Sequence, residues 1–447
     1  MIFEPDAETM PRAELHALQD QRLGALAAYA YDRVPFYRRR FEELGLTPDA
    51  IRQVADLPRL PFTRKTDLRD QYPFGLFAVP VSEMSRIHCS SGTTGKPTVV
   101  GYTRDDVDLF ARVCARSLAM AGAKPGMILH NAYGYGLFTG GLGLHYGGER
   151  LGMVVVPVSG GMTERQVMMI LDFRPTVICC TPSYALTLAQ EFQRQGVSPE
   201  EISVRYAIVG AEPWTETMRV EIDQRLGVRC TNIYGLSEII GPGVSCECVD
   251  VRQGSHVNED HFLPEIVDAK TGDVLPEGSE GVLVLTTLTK QGLPLIRYWT
   301  GDITSLSSEP CACGRTLTRM ALIKGRSDDM LIVRGVNVYP TQIETALGTV
   351  AELAPHYRLI LTRQRTLDEL EVQVEVSEEF FCSVSAEVLS EEVVDTDQHL
   401  RELRARAGAA IRGTVGIGAT VRLMAPRTVP RSEGGKLQRV VDQRHLG

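Results

Sequence analysis

Strands that alternate with helices, a run of hairpins and a late restart of the alternation together predict an α/β fold. It comprises a large N-terminal α/β domain with parallel sheets and a β-rich subdomain, followed by a small α/β C-terminal domain. The alternation fills about 85–240, where MVVVPV, TERQVMMILDF, TVICCT, YALTLAQEFQRQG, YAIVGAE, ETMRVEIDQRLG and CTNIYG follow one another. The hairpins fall within 257–305, around EIVDAKTGDVLPEGSEGVLVLTTL, with turn signals at Thr271-Gly272-Asp273 and Glu277-Gly278. The restart comes after GRSDD at 325–329, with a strand (MLIVRG) and a helix (TQIETALGTV). A boundary between 327 and 328 divides the chain into 1–327 and 328–447.

Each element has a local cause. Residues 12–45 carry apolar side chains at three- and four-residue spacing, which predicts helices, broken near Pro35 and stopped at Gly45. In the parallel region TPS, GAEPW and YGLSE lie at strand ends, where parallel sheets bind ligands. The charged stretch 387–405 reads as the solvated face of a helix. The small domain closes with a Gly- and charge-rich loop, RSEGGK.

Composition narrows the function classes. The chain has 447 residues, 43% apolar and 23% charged, which excludes wholesale disorder. Lys and Arg number 47 against 56 Asp and Glu, a net charge of -9, so nothing global favours nucleic acid or an anionic membrane. No apolar run approaches the ~20 residues of a membrane-spanning helix. The start, MIFEPDAETMPRAEL, lacks a signal-peptide pattern, so a cytoplasmic location is expected. In a reducing compartment the ten cysteines should be free thiols, catalytic thiols or metal ligands.

CSSGTTGKPT, at 89–98, is the first motif with chemistry in it. Small residues let the backbone curl, so that N–H groups and hydroxyls converge on phosphate oxygens. A plain surface turn is the bland alternative. A P-loop is excluded at two positions: Ser90 stands where a Gly is needed, and Pro97 follows Lys96 where Ser or Thr is needed.

The loop resembles the phosphate loop of adenylate-forming enzymes, and further segments follow in that superfamily's order. They are YGLSE (234–238), YWTGD (298–302), GRSDDMLIVRGVNVYPTQIE (325–344) and PRSEGGKLQRV (430–440). LPFTRKTDLRDQYPFGLFAVP (60–80), YGYGLFTGGLGLHYGGERLG (133–152), PVSGGMTERQ (157–166) and GPGVSCEC (241–248) resemble one branch, the phenylacetate–CoA ligase family. The resemblance covers nearly the whole chain. It implies the adenylate-forming enzyme fold, with a mobile small domain, and an acid–thiol ligase that uses ATP, Mg2+ and CoA. A carboxylate is a poor acyl donor; attack on the α-phosphorus of ATP makes an acyl-adenylate, from which a thiol can take the acyl group. Bringing an anion against a polyanion calls for charge neutralisation and in-line positioning.

The same resemblance implies residue roles. Ser90, Ser91, Gly92, Thr93, Thr94, Gly95 and Lys96 would cradle phosphate. Glu238 would hold magnesium, where an exposed helix-capping glutamate is the alternative. Tyr234 and the turn Gly210, Ala211, Glu212, Pro213 would wall the adenine. Asp302 would accept hydrogen bonds from the ribose hydroxyls, and Arg326 would lie near ribose and phosphate. Asp328 falls at the hinge. Lys436 would enter for adenylation and bridge the acid and the α-phosphate as a compact charge. The small domain would then rotate and bring the face from Arg334 to Asn337 forward for thioester formation. Trp299 stands where the family usually has Arg, which puts ribose-side or pocket details in question.

The acyl pocket is read from YGYGLFTGGLG (133–143), with Ala211 and Gly235 beside it. Tyr135 and Phe138 would flank a flat ring, and Gly140, Gly141 and Gly143 would leave room for it. The segment has no acid or base, which suits a neutral aryl group. A Gly-rich turn packed on Tyr and Phe is the alternative.

Cys246, Cys248, His256, Cys311 and Cys313 suggest tetrahedral zinc. From the resemblance the ligands would be Cys248, His256, Cys311 and Cys313, with Cys246 spare, in a closed structural site. Buried free thiols are the alternative.

The expected activity is ATP-dependent ligation of an aryl acid, phenylacetate first, to CoA. Benzoate- or anthranilate-type acids, or loading of a separate carrier protein, form the nearest alternative. A non-catalytic nucleotide- and zinc-binding scaffold is the alternative of another class. The expected partners are the acid, ATP and CoA, with no nucleic acid or membrane; a homodimer is left open.

Overall fold

The structure is a computed structural model that describes residues 1–90, 97–327, 331–334, 336–364, 367–384, 388–431 and 439–444. After one short helical turn, Pro5–Glu8, comes the helix Arg12–Arg33, which ends where Val34 turns extended ahead of Pro35 and starts the helix Pro35–Glu43. A residue before proline is pushed out of the helical region, and proline suits the first helical position, so the break lies where the sequence places it.

Five parallel strands form the heart of a nine-stranded sheet, in the order Val154–Val156, Ile128–Asn131, Val177–Cys180, Tyr206–Gly210, Arg229–Leu236. The sheet continues antiparallel through Gly241–Glu247, Ser255–Val257, Arg319–Met320 and Leu306–Ser307. The helices Gly140–Leu151, Thr163–Phe173, Pro182–Arg194 and Glu216–Leu226 alternate with its parallel strands. Val177–Cys180 is buried along its whole length, as its unbroken apolar run requires. Parallel strands put their carboxyl ends along one edge, which gathers Asn131, Cys180, Gly210 and the segment from Tyr234 onward.

The hairpin region forms a four-stranded antiparallel sheet of Phe262–Val267, Gly281–Thr287, Tyr298–Thr304 and Gly325–Arg326. Its predicted turns are present, with Gly272 and Gly278 at positive φ. A separate pair, Arg86–Ser90 with Thr98–Tyr102, flanks the Gly-rich loop; Ser90 stands opposite Thr98. The helix that follows, Arg104–Met120, opens on a capping box in which Thr103 and Asp106 satisfy each other's backbone N–H.

The small domain has its own core. Leu331 to Leu423 contribute one apolar cluster, built on a sheet in the order Thr420–Met424, Leu367–Val376, Leu353–Gln364, Val440–Asp442. The helix Gln398–Val415 buries Leu400, Leu403, Ala407, Ile411 and Val415 and turns its charges outward. No described helix is long and apolar enough to cross a membrane.

Candidate active site

The strand Arg229–Leu236 carries Tyr234 to the carboxyl edge of the sheet, and Tyr298–Thr304 brings Asp302 against it from the other sheet. The Tyr234 hydroxyl donates to Asp302 Oδ2 at 2.6 Å, and Arg326 Nη1 donates to Oδ1 at 3.1 Å. Asp302 and Arg326 also face each other in strand register. Burial, then the Asp302 charge, pushes the Tyr234 phenol well above its usual range, so it stays a donor. The three predicted residues thus meet around one carboxylate. Trp299 packs elsewhere: its ring meets Phe62 edge-on at 5.0 Å and lies under the Arg64 guanidinium at 4.3 Å. The residue that departs from the family wording therefore sits on the Phe62–Arg64 side of this sheet.

Next to this junction the GAEPW turn leaves the strand Tyr206–Gly210. A Cβ on Gly210 would lie 2.0 Å from the Ile233 carbonyl, so only glycine fits. Ala211 has φ +73°, a strained value for a residue with a side chain. Glu212 Oε1 accepts from the Ser183 backbone N–H at 2.7 Å, in the first turn of the helix Pro182–Arg194, while its Oε2 is buried without a hydrogen-bond partner among the described residues. Its carboxylate is thus directed to that helix N-terminus, which favours negative charge.

Glu238 lies in the tight turn after Leu236 and is 6% exposed. Sequence reasoning missed what lies behind it. Lys290 Nζ donates to the Glu238 carbonyl at 3.1 Å, and the Tyr102 hydroxyl lies 3.2 Å from the Ser237 carbonyl and 3.0 Å from that of Ile240. Lys290 is 2% exposed; burial pushes its ammonium down to about 8, with Asp106 and Glu238 pulling the other way. Its signal in the sequence is faint: one lysine in the run LTTLTKQGLPLI.

Around the acyl run the structure corrects one expectation. A Cβ on Gly140 would meet the Phe138 ring at 2.6 Å, one on Gly141 the Gly134 carbonyl at 2.5 Å, and one on Gly143 the Phe110 ring at 2.2 Å. These glycines let the start of the helix Gly140–Leu151 pack closely; the room credited to them is filled by the protein itself. At Gly134 and Gly136, by contrast, no described residue beyond the chain neighbours comes within 4 Å of an added Cβ. Gly235 is likewise a close approach: a Cβ there would lie 1.8 Å from the Gly241 carbonyl. Tyr135 is held by groups the sequence reading did not connect. Asn131 Nδ2 donates to its hydroxyl at 2.7 Å, and His145 Nδ1 lies 3.3 Å from it, with His145 Nε2 3.2 Å from Glu149. His145 and Glu149 are four apart on one helix, a spacing that could have shown the pair.

The phosphate loop lies outside the described residues from 91 to 96, as do Asp328 and Lys436; of Ser90 only the backbone is described. The ends of the segment that carries Lys436 are described. Arg431 makes a two-pronged pair with buried Glu375, at 2.8 and 2.7 Å, and Arg439 pairs with Glu344 and lies 3.1 Å from the Tyr357 hydroxyl. Among the described residues, hydrogen bonds between the small domain and the large one include Gln190 Nε2 to His356 Nε2 at 3.1 Å and the Thr341 hydroxyl to the Lys324 carbonyl.

At the far end of the nine-stranded sheet, the ligand atoms of Cys248, His256, Cys311 and Cys313 all lie within 4.8 Å of one another. Cys248 and Cys311 sulfurs are 3.7 Å apart, and Cys313 Sγ is 3.4 Å from His256 Nε2. A tetrahedral zinc site requires about 3.8 Å between sulfurs and about 3.6 Å from sulfur to nitrogen, so the donor set fits. His256 Nδ1 faces the Leu317 carbonyl at 3.4 Å, which leaves Nε2 as the ligand atom. Cys246 does not join them. It is packed in the ladder opposite Ile233, and burial keeps it a thiol.

Residues 77–288 match the family described as AMP-binding enzyme, and residues 335–444 match the AMP-binding enzyme C-terminal domain. A phenylacetate-coenzyme A ligase of Thermus thermophilus is 65% identical over 444 residues, covering 99% of this chain and 100% of that one. One of Escherichia coli is 50% identical over 440 residues, covering 98% and 97%. Among solved structures, 2-hydroxyisobutyryl-CoA ligase in the postadenylation state with R3-HIB-AMP is 30% identical and has a TM-score of 0.90, covering 100% of this chain and 93% of that chain. The same ligase in its thioesterification state, with 2-HIB-AMP and CoA, covers 99% of this chain and 92% of that chain, with a TM-score of 0.71.

Proposed function

The chain belongs to the phenylacetate–CoA ligase family of AMP-binding enzymes, which join an acid to CoA through an acyl-adenylate at the expense of ATP, and we propose that its own acid is phenylacetate. The relatives' names support this choice of acid, as does an acyl segment, 133–143, with two aromatic side chains, Tyr135 and Phe138, and no acid or base. The observation that carries the reading is the junction of Tyr234, Asp302 and Arg326 beside the Glu238 turn.

In the first step the acid's carboxylate oxygen bonds to the α-phosphorus and pyrophosphate leaves. In the second the thiol sulfur bonds to the acyl carbon, AMP leaves and the thiol proton passes to solvent. Asp302 accepts from the ribose hydroxyls, exchanging its contacts with Tyr234 and Arg326 for them. Ala211, Pro213 and Tyr234 border the purine. The amides and hydroxyls of Ser90–Lys96 take the β- and γ-phosphates, and Lys436 neutralises the meeting of carboxylate and α-phosphate. Glu238 would hold magnesium, which supplies charge neutralisation at the phosphates. The higher TM-score against a postadenylation structure supports a starting pose from which the small domain rotates about Asp328, bringing the face from Arg334 to Asn337 forward. We place the domain boundary at 327/328.

Cys248, His256, Cys311 and Cys313 would hold zinc in a closed site that pins the β-rich subdomain. A cytoplasmic setting is supported by ten cysteines of which none pairs in a disulfide. A homodimer is supported by the open edge strand Val154–Val156, with Val154 exposed, and light scattering tests it.

The test is a panel of phenylacetate, benzoate, anthranilate and fatty acids with ATP, Mg2+ and CoA, scored by pyrophosphate release and thioester mass. Phenylacetate should give phenylacetyl-CoA with the highest kcat/KM. A higher value for anthranilate or benzoate would overturn the choice of acid. An adenylate that CoA does not discharge would point to a carrier-protein acceptor, and nucleotide binding without turnover would return the scaffold reading.

A further inference from the structure

We propose that Lys290 and Tyr102 are positioning residues for Glu238: they grip the Ser237–Ile240 turn by its carbonyls and hold the glutamate toward the nucleotide. This deepens, and rests on, the reading of Glu238 as the magnesium-holding carboxylate.

The turn has little backbone support of its own. Between Leu236 and Gly241 the ladder stops, and among the described residues the backbone bonds of the turn are those from the Ile239 and Ile240 N–H groups to the Leu236 carbonyl, at 3.1 and 3.2 Å. The carbonyls of Ser237, Glu238 and Ile240 point inward. In a buried setting each needs a donor. Tyr102 shares its one hydroxyl proton between Ser237 and Ile240, and Lys290 donates to Glu238. The two donors also hold each other, since Lys290 Nζ lies 4.6 Å over the Tyr102 ring. The Ser237 hydroxyl adds a contact with Thr139 at 3.2 Å.

Lys290 is itself anchored from the opposite side. Asp106 accepts the backbone N–H groups of Gln291 and Gly292, at 2.7 Å each, and caps Thr103 at 3.0 Å. A line of hydrogen bonds therefore runs from the first turn of the helix Arg104–Met120, through the loop at 290–292, to the backbone of Glu238. An ammonium buried to this extent is costly, and an apolar side chain of similar volume would fill the space at lower cost. A cation here is explained by what it grips.

The test uses the full chain with Lys290→Met, Tyr102→Phe and Glu238→Gln. Without metal or nucleotide, amide exchange across 237–241 should quicken about tenfold in Lys290→Met and in Tyr102→Phe, the effect of losing one such hydrogen bond, while the helix Gln398–Val415 keeps its protection. The Mg2+ concentration that half-saturates pyrophosphate release should rise about tenfold, with the KM for the acid unchanged. Wild-type exchange in the turn together with wild-type Mg2+ dependence would overturn the clamp. If Lys290→Met does not fold, Tyr102→Phe decides, because it removes the shared hydroxyl donor and keeps the ring. Glu238→Gln separates the two readings: a wild-type rate in that variant would refute the magnesium role, while the exchange measurement still judges the clamp.

Discussion

The Cys–His corner and the proposed nucleotide corner belong to the same large domain, yet they are built in opposite ways. At the first, four ligand atoms converge within 4.8 Å and His256 is fixed from behind by the Leu317 carbonyl. At the second, the Asp302 carboxylate is spanned by Tyr234 and Arg326, donors that the proposed reading exchanges for a ribose diol, and Glu238 sits on a turn gripped through its carbonyls by Tyr102 and Lys290. A site that turns every donor inward can stiffen a fold but has no position left for a reactant. A site whose donors can be exchanged is poised for one.

The largest effect should come from charge at the reacting end. Lys436→Ala should slow adenylation about a thousandfold, measured as pyrophosphate release, and leave CoA transfer from a supplied acyl-adenylate nearly intact. Normal adenylation would remove that lysine from the reactive side of the contrast. Next, Asp302→Ala should cut kcat/KM for ATP about a hundredfold, through KM more than kcat, with the KM for the acid little changed. A loss shared equally by both substrates would mean that Asp302 serves the fold instead.

The closed corner should answer differently. Cys248→Ser, or a strong chelator, should lower the melting temperature by about 5 °C or more, while the initial rate per folded molecule stays within about twofold. A parallel fall in rate in protein that remains folded would erase the distinction. The smallest effect concerns the seam between the domains. His356 is buried and neutral, pushed down to about 3 by burial, and faces Gln190. The unfolded chain takes up its proton first as the pH drops, so stability should be lost between about pH 6.5 and 3, at no more than about 1.4 kcal/mol per pH unit from this group. Denaturant titrations at pH 7.5, 6.5 and 5.5 should show a shallower dependence in His356→Gln. Equal slopes would place the acid sensitivity in three other buried histidines, His88, His130 and His261, all shifted down chiefly by burial.

Much of the candidate site was legible because its parts are short and local. YGLSE and YWTGD each lie at or within one strand, so motif and placement coincide. The acyl glycines were misread for the same reason. A run of glycines signals missing side chains but not what fills the gap, and here Phe138, the Gly134 carbonyl and Phe110 fill it. Lys290 stayed hidden because its partner lies 52 residues away and it belongs to no recognisable motif.

Periodicity, turn chemistry and cap residues depend on neighbours within a few positions, and so the alternating elements, the hairpin turns and the break before Pro35 follow from the amino-acid order alone. Which cysteine joins the cluster was a different matter. Cys246 and Cys248 are equivalent in spacing, and only the strand register, with Cys246 held opposite Ile233 inside the ladder and Cys248 just past its end, brings Cys248 to Cys311. The meeting of Tyr234 with Asp302 and of Lys290 with Glu238 is likewise tertiary, because contacts between distant segments are set by how whole sheets pack.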